Sequence, residues 1–186
     1  MSSALPGDVR RIAVVGTTGV GKSTLAGQLA GLLGVPHIEL DALYWQPDWI
    51  ASDREDMRRR VRSAVQAEGW VMDGNYNFLS DIVWPRLQAV VWLDYPLSLI
   101  LWRLLRRTWQ RSVSKELIWG TNREDLWKQF GSRDSLFLWA LKTCRRNRRR
   151  YSELLARPEN AGLCACHFTH PGATNDWLER VRADRR

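Results

Sequence analysis

Residues 16–23 read Gly-Thr-Thr-Gly-Val-Gly-Lys-Ser, the spacing G-x-x-x-x-G-K-[ST], and stand between a β-branched apolar run, Ile12 to Val15, and a helical pattern opening at Lys22. Strand, glycine turn and helix must therefore follow in that order. Gly16, Gly19 and Gly21 carry no β-carbon, so the backbone can turn its N–H groups inward around a phosphate. The helix start adds aligned dipoles that favour an anion. Lys22 would bring a full positive charge to the β and γ phosphates, and the Ser23 hydroxyl one oxygen to a magnesium ion. A nucleoside triphosphate held on Gly16, Thr17, Thr18, Gly19, Val20, Gly21, Lys22, Ser23 and Thr24 is the chemistry this pattern supports.

The rest of the chain repeats the alternation. After the strand at Ile12–Val15, Leu25, Ala26, Leu29, Leu32 and Leu33 recur at helical spacing as far as Gly34. A second strand is predicted at His37–Leu40 and closed by Asp41. Ser52 and Glu55 form a capping-box pattern ahead of a helix whose face carries Met57, Val61, Ala64 and Val65. Further strands are predicted at Trp70–Met72, Ala89–Leu93 and Leu163–Phe168, with a helix after Pro96, another from near Asp134 and a last one containing Trp177, Leu178 and Val181. Strands alternating with helices imply an α/β fold in three layers, helix on sheet on helix, around a mainly parallel five-stranded sheet. The 186 residues read as one domain, with a lid segment expected at about 108–133.

Composition narrows the setting. No apolar stretch reaches the roughly 18 residues of a membrane span, and the amino terminus lacks a basic region followed by an apolar one, so a cytoplasmic protein is expected. Three cysteines, Cys144, Cys164 and Cys166, do not make a disulfide framework. Cys164 and Cys166 share a strand face near His167 and His170, but four zinc ligands at a familiar spacing are missing. The net charge of +8 implies attraction to anions. The run Arg145, Arg146, Arg148, Arg149 and Arg150 reads first as a solvated helix face. Nucleic acid is thus an alternative partner and not the favoured one.

In an open α/β sheet ligands gather at the carboxyl ends of the strands, where Asp41, Asp73 and Asp94 fall beside the glycine turn. Asp73 suits a magnesium ligand, direct or through water, together with Ser23. Asp41 could orient or deprotonate an attacking hydroxyl. Asp94, which precedes Pro96 at a helix start, reads as a cap. Arg103, Arg107 and Arg111 share one helix face that can neutralise a transferred phosphoryl group, and Arg123 could join them. Tyr44, Trp45 and Trp49 cluster after Asp41 and could form a face for a planar or sugar-like molecule.

Taken together the chain resembles the adenylate-kinase-like P-loop kinases, and most closely the topology modulation (FlaR-type) group. The resemblance covers nearly the whole chain. Leu40-Asp41-Ala42-Leu43-Tyr44-Trp45 is similar to that group's Leu-Asp-x-x-Tyr-Trp element, Val71-Met72-Asp73-Gly74-Asn75-Tyr76 to its third-strand signature, and Thr121-Asn122-Arg123-Glu124 to its lid segment. Arg103 and Arg107, in register after Asp94-Tyr95-Pro96, match the family's lid-proximal arginines. Adenylate kinases carry Asp-Gly-Phe-Pro-Arg after the third strand; here Asn77 stands in place of the monophosphate-binding arginine. Gluconate and shikimate kinases resemble this chain in an acidic residue after the second strand.

The resemblance implies a nucleoside monophosphate kinase-like fold with a helical lid, ATP and Mg2+ as cofactors, and phosphoryl transfer to a nucleotide or hydroxylated small molecule. Lys22, Asp41, Asp73, Arg103 and Arg107 are then the expected catalytic residues, Ser23 and Asp73 the metal ligands, and Asp41, Tyr44, Trp45, Asn75, Tyr76 and Arg123 the acceptor-binding residues. The alternative reading is an ATP-binding regulatory or DNA-interacting protein without metabolite kinase activity. Oligomeric state is left open.

Overall fold

A computed structural model of the protein describes residues 5–114 and 136–185, apart from the side chains of 111–114 and 136–140. Its centre is a five-stranded sheet of β1 (Arg11–Gly16), β2 (His37–Glu39), β3 (Trp70–Asp73), β4 (Ala89–Leu93) and β5 (Cys164–Phe168), in the order β2-β3-β1-β4-β5. All four pairings are parallel. The helices are α1 (Lys22–Leu33), α2 (Leu40–Tyr44), α3 (Arg54–Ala64), α4 (Ser80–Val83), α5 (Leu97–Ser114), α6 (Leu136–Leu155) and α7 (Pro171–Ala183). Thr108 to Ser114 of the expected lid segment continue α5, and the rest of that segment, with Arg123, lies outside the described residues.

Strand alternation builds two cores. On one face Ile12 and Val14 of β1 join Leu25, Ala26, Leu29, Ala30 and Leu33 of α1, Ile100 and Leu104 of α5, and Trp177, Leu178 and Val181 of α7. On the other, Ala13 and Val15 join Met57 and Val61 of α3, Ile82 and Val83 of α4, and Tyr151 of α6. Successive residues of a strand point to opposite sides, so a strand buried twice over must be apolar throughout. That is why Ile12–Val15 and Ala89–Leu93 read as unbroken apolar runs. The three-layer α/β arrangement is as the sequence implied.

Two local expectations change. The α3 cap is Asp53, whose Oδ1 accepts the N–H groups of Glu55 and Asp56 at 2.9 and 3.1 Å, and not Ser52. The Ser52 hydroxyl instead donates to the Leu43 carbonyl at 3.1 Å, because Ser52 still belongs to the preceding loop. Asp94 is engaged elsewhere: Arg148 Nε donates to both of its oxygens at 2.9 Å and His167 Nε2 lies 3.3 Å from Oδ2, so its partners come from α6 and β5.

Candidate active site

The glycine turn sits at the carboxyl end of β1, the middle strand, and feeds directly into α1. Gly16 has φ +145, and a β-carbon there would meet the Leu93 carbonyl oxygen at 2.3 Å. At Gly19, φ +83, one would meet Leu104 Cγ at 2.5 Å. Only glycine lets the turn pass so close to β4 and α5. Helix α1 starts from Gly21 in the left-handed region with no side-chain cap and no acidic residue in its first turn. Its leading N–H groups are therefore not claimed by a side chain, which suits an anion.

Thr18 to Thr24 line one cleft of about 630 Å³ together with Gln28, Glu39, Asp41, Trp45, Trp49, Tyr95, Arg103, Arg107 and, from the loop and first turn after β5, Pro171, Thr174 and Asn175. Gly16 and the buried Thr17 form the base of the turn behind it. Lys22 Nζ donates to the Thr17 carbonyl at 3.3 Å. Desolvation lowers the Lys22 pKa from its ordinary value, against the pull of Asp41 and Asp73, and the positive field of Arg107 adds to the lowering. A lysine held this way gains by receiving a phosphate anion. Arg103 donates to the Val20 carbonyl at 2.7 Å and lies over the Tyr95 ring at 5.3 Å. The Tyr95 hydroxyl lies 2.7 Å from Thr174 Oγ1, tying that end of the cleft to α7.

Beneath the turn, Asp73 is 3% exposed at the end of β3. Ser23 Oγ donates to its Oδ2, and His37 Nε2 lies 3.2 Å from its Oδ1. The Asp73 hydrogen bond raises the His37 pKa, overcoming the opposing effect of burial. Ser23 and Asp73, assigned to a magnesium ion from their spacing, are thus adjacent and share a hydroxyl–carboxylate contact. A hard cation takes such oxygens together with phosphate oxygens and water. Among the described residues no group of three or more His, Cys, Asp or Glu side chains could hold a metal ion by itself.

The acceptor end carries aromatic side chains. Asp41 Oδ1 accepts the Tyr76 hydroxyl proton at 2.7 Å. Burial first, and then the Asp41 carboxylate, raise the Tyr76 pKa far above the phenol range, so this hydroxyl stays a donor. Tyr44 packs against Tyr76 and Trp45, each at 4.9 Å between ring centroids, and Trp45 meets Trp49 at 5.8 Å. Asp41 and Trp45 line the cleft, while Tyr44, outside its lining, packs on Trp45 and Tyr76. Asn75 and Tyr76 line a separate cavity of about 30 Å³. Both ends of the Asn75 amide are engaged: Nδ2 donates to the Gly16 carbonyl at 2.6 Å and Oδ1 accepts from the Tyr151 hydroxyl at 2.7 Å.

Sequence reasoning did not assign His37, Glu39, Pro171, Thr174 or Asn175. One signal was present for the first two: polar residues at i and i+2 on a strand expected to be buried. For the others, the rule that ligands gather beyond strand carboxyl ends applies to the loop after β5 as much as to that after β1.

No family model matches the chain. A stretch of 117 residues, 62% of the chain, is 28% identical to the uncharacterized protein YqaC of Bacillus subtilis (strain 168), and the chain spans 66% of that relative's length. Among solved structures, a sugar kinase from Janibacter sp. HTCC2649 superposes with a TM-score of 0.51 at 18% identity, covering 94% of this chain and 93% of that one. The shikimate kinase of Acinetobacter baumannii, in complex with shikimate, gives 0.51 at 17%, covering 93% and 90%. A gluconokinase from Sinorhizobium meliloti 1021 gives 0.51 at 20%, covering 95% of each chain. At these identities the likeness concerns the fold alone: the chain has the α/β three-layer fold of the P-loop kinases.

Proposed function

We propose that this protein is an ATP-dependent phosphotransferase acting on a small hydroxylated molecule, related within that fold to the topology modulation group by its ordered motifs. One observation carries the reading. The glycine turn, Lys22, Ser23, Asp41, Arg103 and Arg107 line a single cleft, and the Asp73 carboxylate accepts from the Ser23 hydroxyl. Such a set provides an anion cradle, cationic charge and a carboxylate within one concave site.

Magnesium–ATP, when bound, supplies the phosphoryl group and neutralises part of its charge. The backbone of Thr18 to Ser23 would hold the phosphate chain, with the Ser23 hydroxyl and Asp73 carboxylate as the protein's oxygens for the metal. Lys22 and Arg107 stabilise charge that grows on the phosphoryl oxygens during transfer. Arg103, held by Tyr95 and the Val20 carbonyl, fixes the wall of the turn. Asp41 orients the acceptor hydroxyl and takes its proton, while Tyr76 keeps that carboxylate in place.

A nucleic-acid-binding regulator would use the arginine run of α6 as an open basic face. Arg148 is instead paired with Asp94, Arg149 with Glu153, and Arg150 donates to Ser80 Oγ at 3.0 Å. Arg145, Arg146, Arg148 and Arg149 nevertheless remain exposed, so the choice of the enzyme rests on the cleft and not on these contacts.

The test is phosphoryl transfer from ATP across a metabolite library. Lys22→Ala should lose product formation while circular dichroism shows an unchanged fold. Asp41→Asn should lose acceptor phosphorylation yet bind ATP. Full turnover by Lys22→Ala would overturn the mechanism.

A further inference from the structure

Among the described residues Asp73 is the one acidic side chain that is buried, and two elements hold it, one at each carboxylate oxygen. Ser23 of α1 donates to Oδ2, and His37 of β2 lies 3.2 Å from Oδ1. An ionised carboxylate only accepts, so the His37 proton that serves this contact sits on Nε2. The torsion that turns a carboxylate is broad and roughly two-fold. A single hydrogen bond leaves its plane free to swing about the bonded oxygen, and a second bond at the other oxygen stops that motion.

The sheet explains how β2 reaches the end of β3. His37 stands in register with Val71, two positions before Asp73, and residues two apart on a strand share a face. The imidazole therefore leans along the strand direction beneath α1, where a β-carbon at Gly27 would stand 3.8 Å from Nδ1. Packing alone does not call for a histidine at this place. β2 is an edge strand, the His37 side chain is 26% exposed, and it is the next residue, Ile38, that enters the core.

We propose that His37 is a positioning residue for the divalent cation: by holding Oδ1 it keeps the Asp73 carboxylate turned so that Oδ2 and the Ser23 hydroxyl stay together as one pair of oxygens. This rests on the kinase reading above. Hydrogen bonds to a metal-binding carboxylate set its orientation, and losing one costs about 10–100-fold in metal affinity. His37 touches neither nucleotide nor metal in this role.

The experiment titrates the non-hydrolysable β,γ-imido analogue of ATP into the whole chain by calorimetry, once in EDTA and once with saturating magnesium. The ratio of the two dissociation constants is the gain due to the metal. His37→Phe keeps a ring and removes the donor; it should lower that gain about tenfold or bring it to one, with the constant in EDTA within about threefold of wild type. His37→Gln carries an N–H donor at a similar reach and should keep the gain within about threefold of wild type. A role in folding alone would weaken binding equally with and without metal. Should His37→Phe not fold, His37→Ala is read in its place. A full gain in His37→Phe, or its loss in His37→Gln as well, overturns the inference and leaves the kinase reading standing. A wild type that binds the nucleotide with no gain from magnesium removes the metal from Ser23 and Asp73, and this inference with it. A wild type that binds no nucleotide removes the kinase reading too.

Discussion

His37 Nε2 lies 3.2 Å from Asp73 Oδ1, so a histidine of β2 and the carboxylate that ends β3 meet across the parallel pair between them. Asp73 raises the pKa of this imidazole above its ordinary value of about 6.5. A raised folded-state pKa stabilises the fold fully below the unfolded value and loses that contribution as pH climbs through the folded one. Urea unfolding in EDTA should therefore show wild type exceeding His37→Ala by about 1 kcal/mol more at pH 5.5 than at pH 9. A difference that is flat with pH would contradict this.

Gly19→Ala places a β-carbon 2.5 Å from Leu104 Cγ and 2.7 Å from its Cδ2, at φ +83. A loss of about 2–3 kcal/mol is expected, with weakened nucleotide binding by calorimetry. Adding Leu104→Ala removes the clash and leaves the backbone cost. The double variant should thus be less destabilised than the sum of the two single changes.

Tyr76→Phe deletes the hydroxyl that donates to Asp41 at 2.7 Å. A hydrogen bond to a carboxylate is worth about 1.5 kcal/mol or more, or roughly tenfold in kcat if the carboxylate must be held for transfer. Steady-state kinetics should show that loss with the KM for ATP unchanged.

Asp48, at φ 59 in the loop between α2 and α3, tests that loop without touching the cleft. Aspartate tolerates the left-handed region better than most residues, and a β-branched side chain tolerates it least. Asp48→Gly should match or exceed wild-type stability, and Asp48→Val should fall about 2 kcal/mol below it. Equal stabilities for the two variants would mean that the loop relaxes to another conformation.

Much of the site was legible because its residues are tied to strand ends by short spacings. Gly16 to Ser23, Asp41 and Asp73 each follow an apolar run, and Arg103 and Arg107 lie one turn apart on a helix whose start is marked by Pro96. Partnerships between distant segments were not legible. Asp94 looked like a cap because a carboxylate before Pro96 commonly is one, yet Arg148 reaches it from 54 residues away. Asn75 looked like a contact for the acceptor, but its amide is engaged by Gly16 and by Tyr151, 76 residues downstream. Spacing along a chain reports local geometry, and only folding decides which remote donor reaches a given oxygen.

The amide of Asn75 joins the last residue of β1 to the long helix α6 through two short hydrogen bonds. The glycine turn is accordingly moored from behind before any anion arrives. If the turn takes a phosphate as proposed, its first residue is already in place and adds no ordering cost to binding.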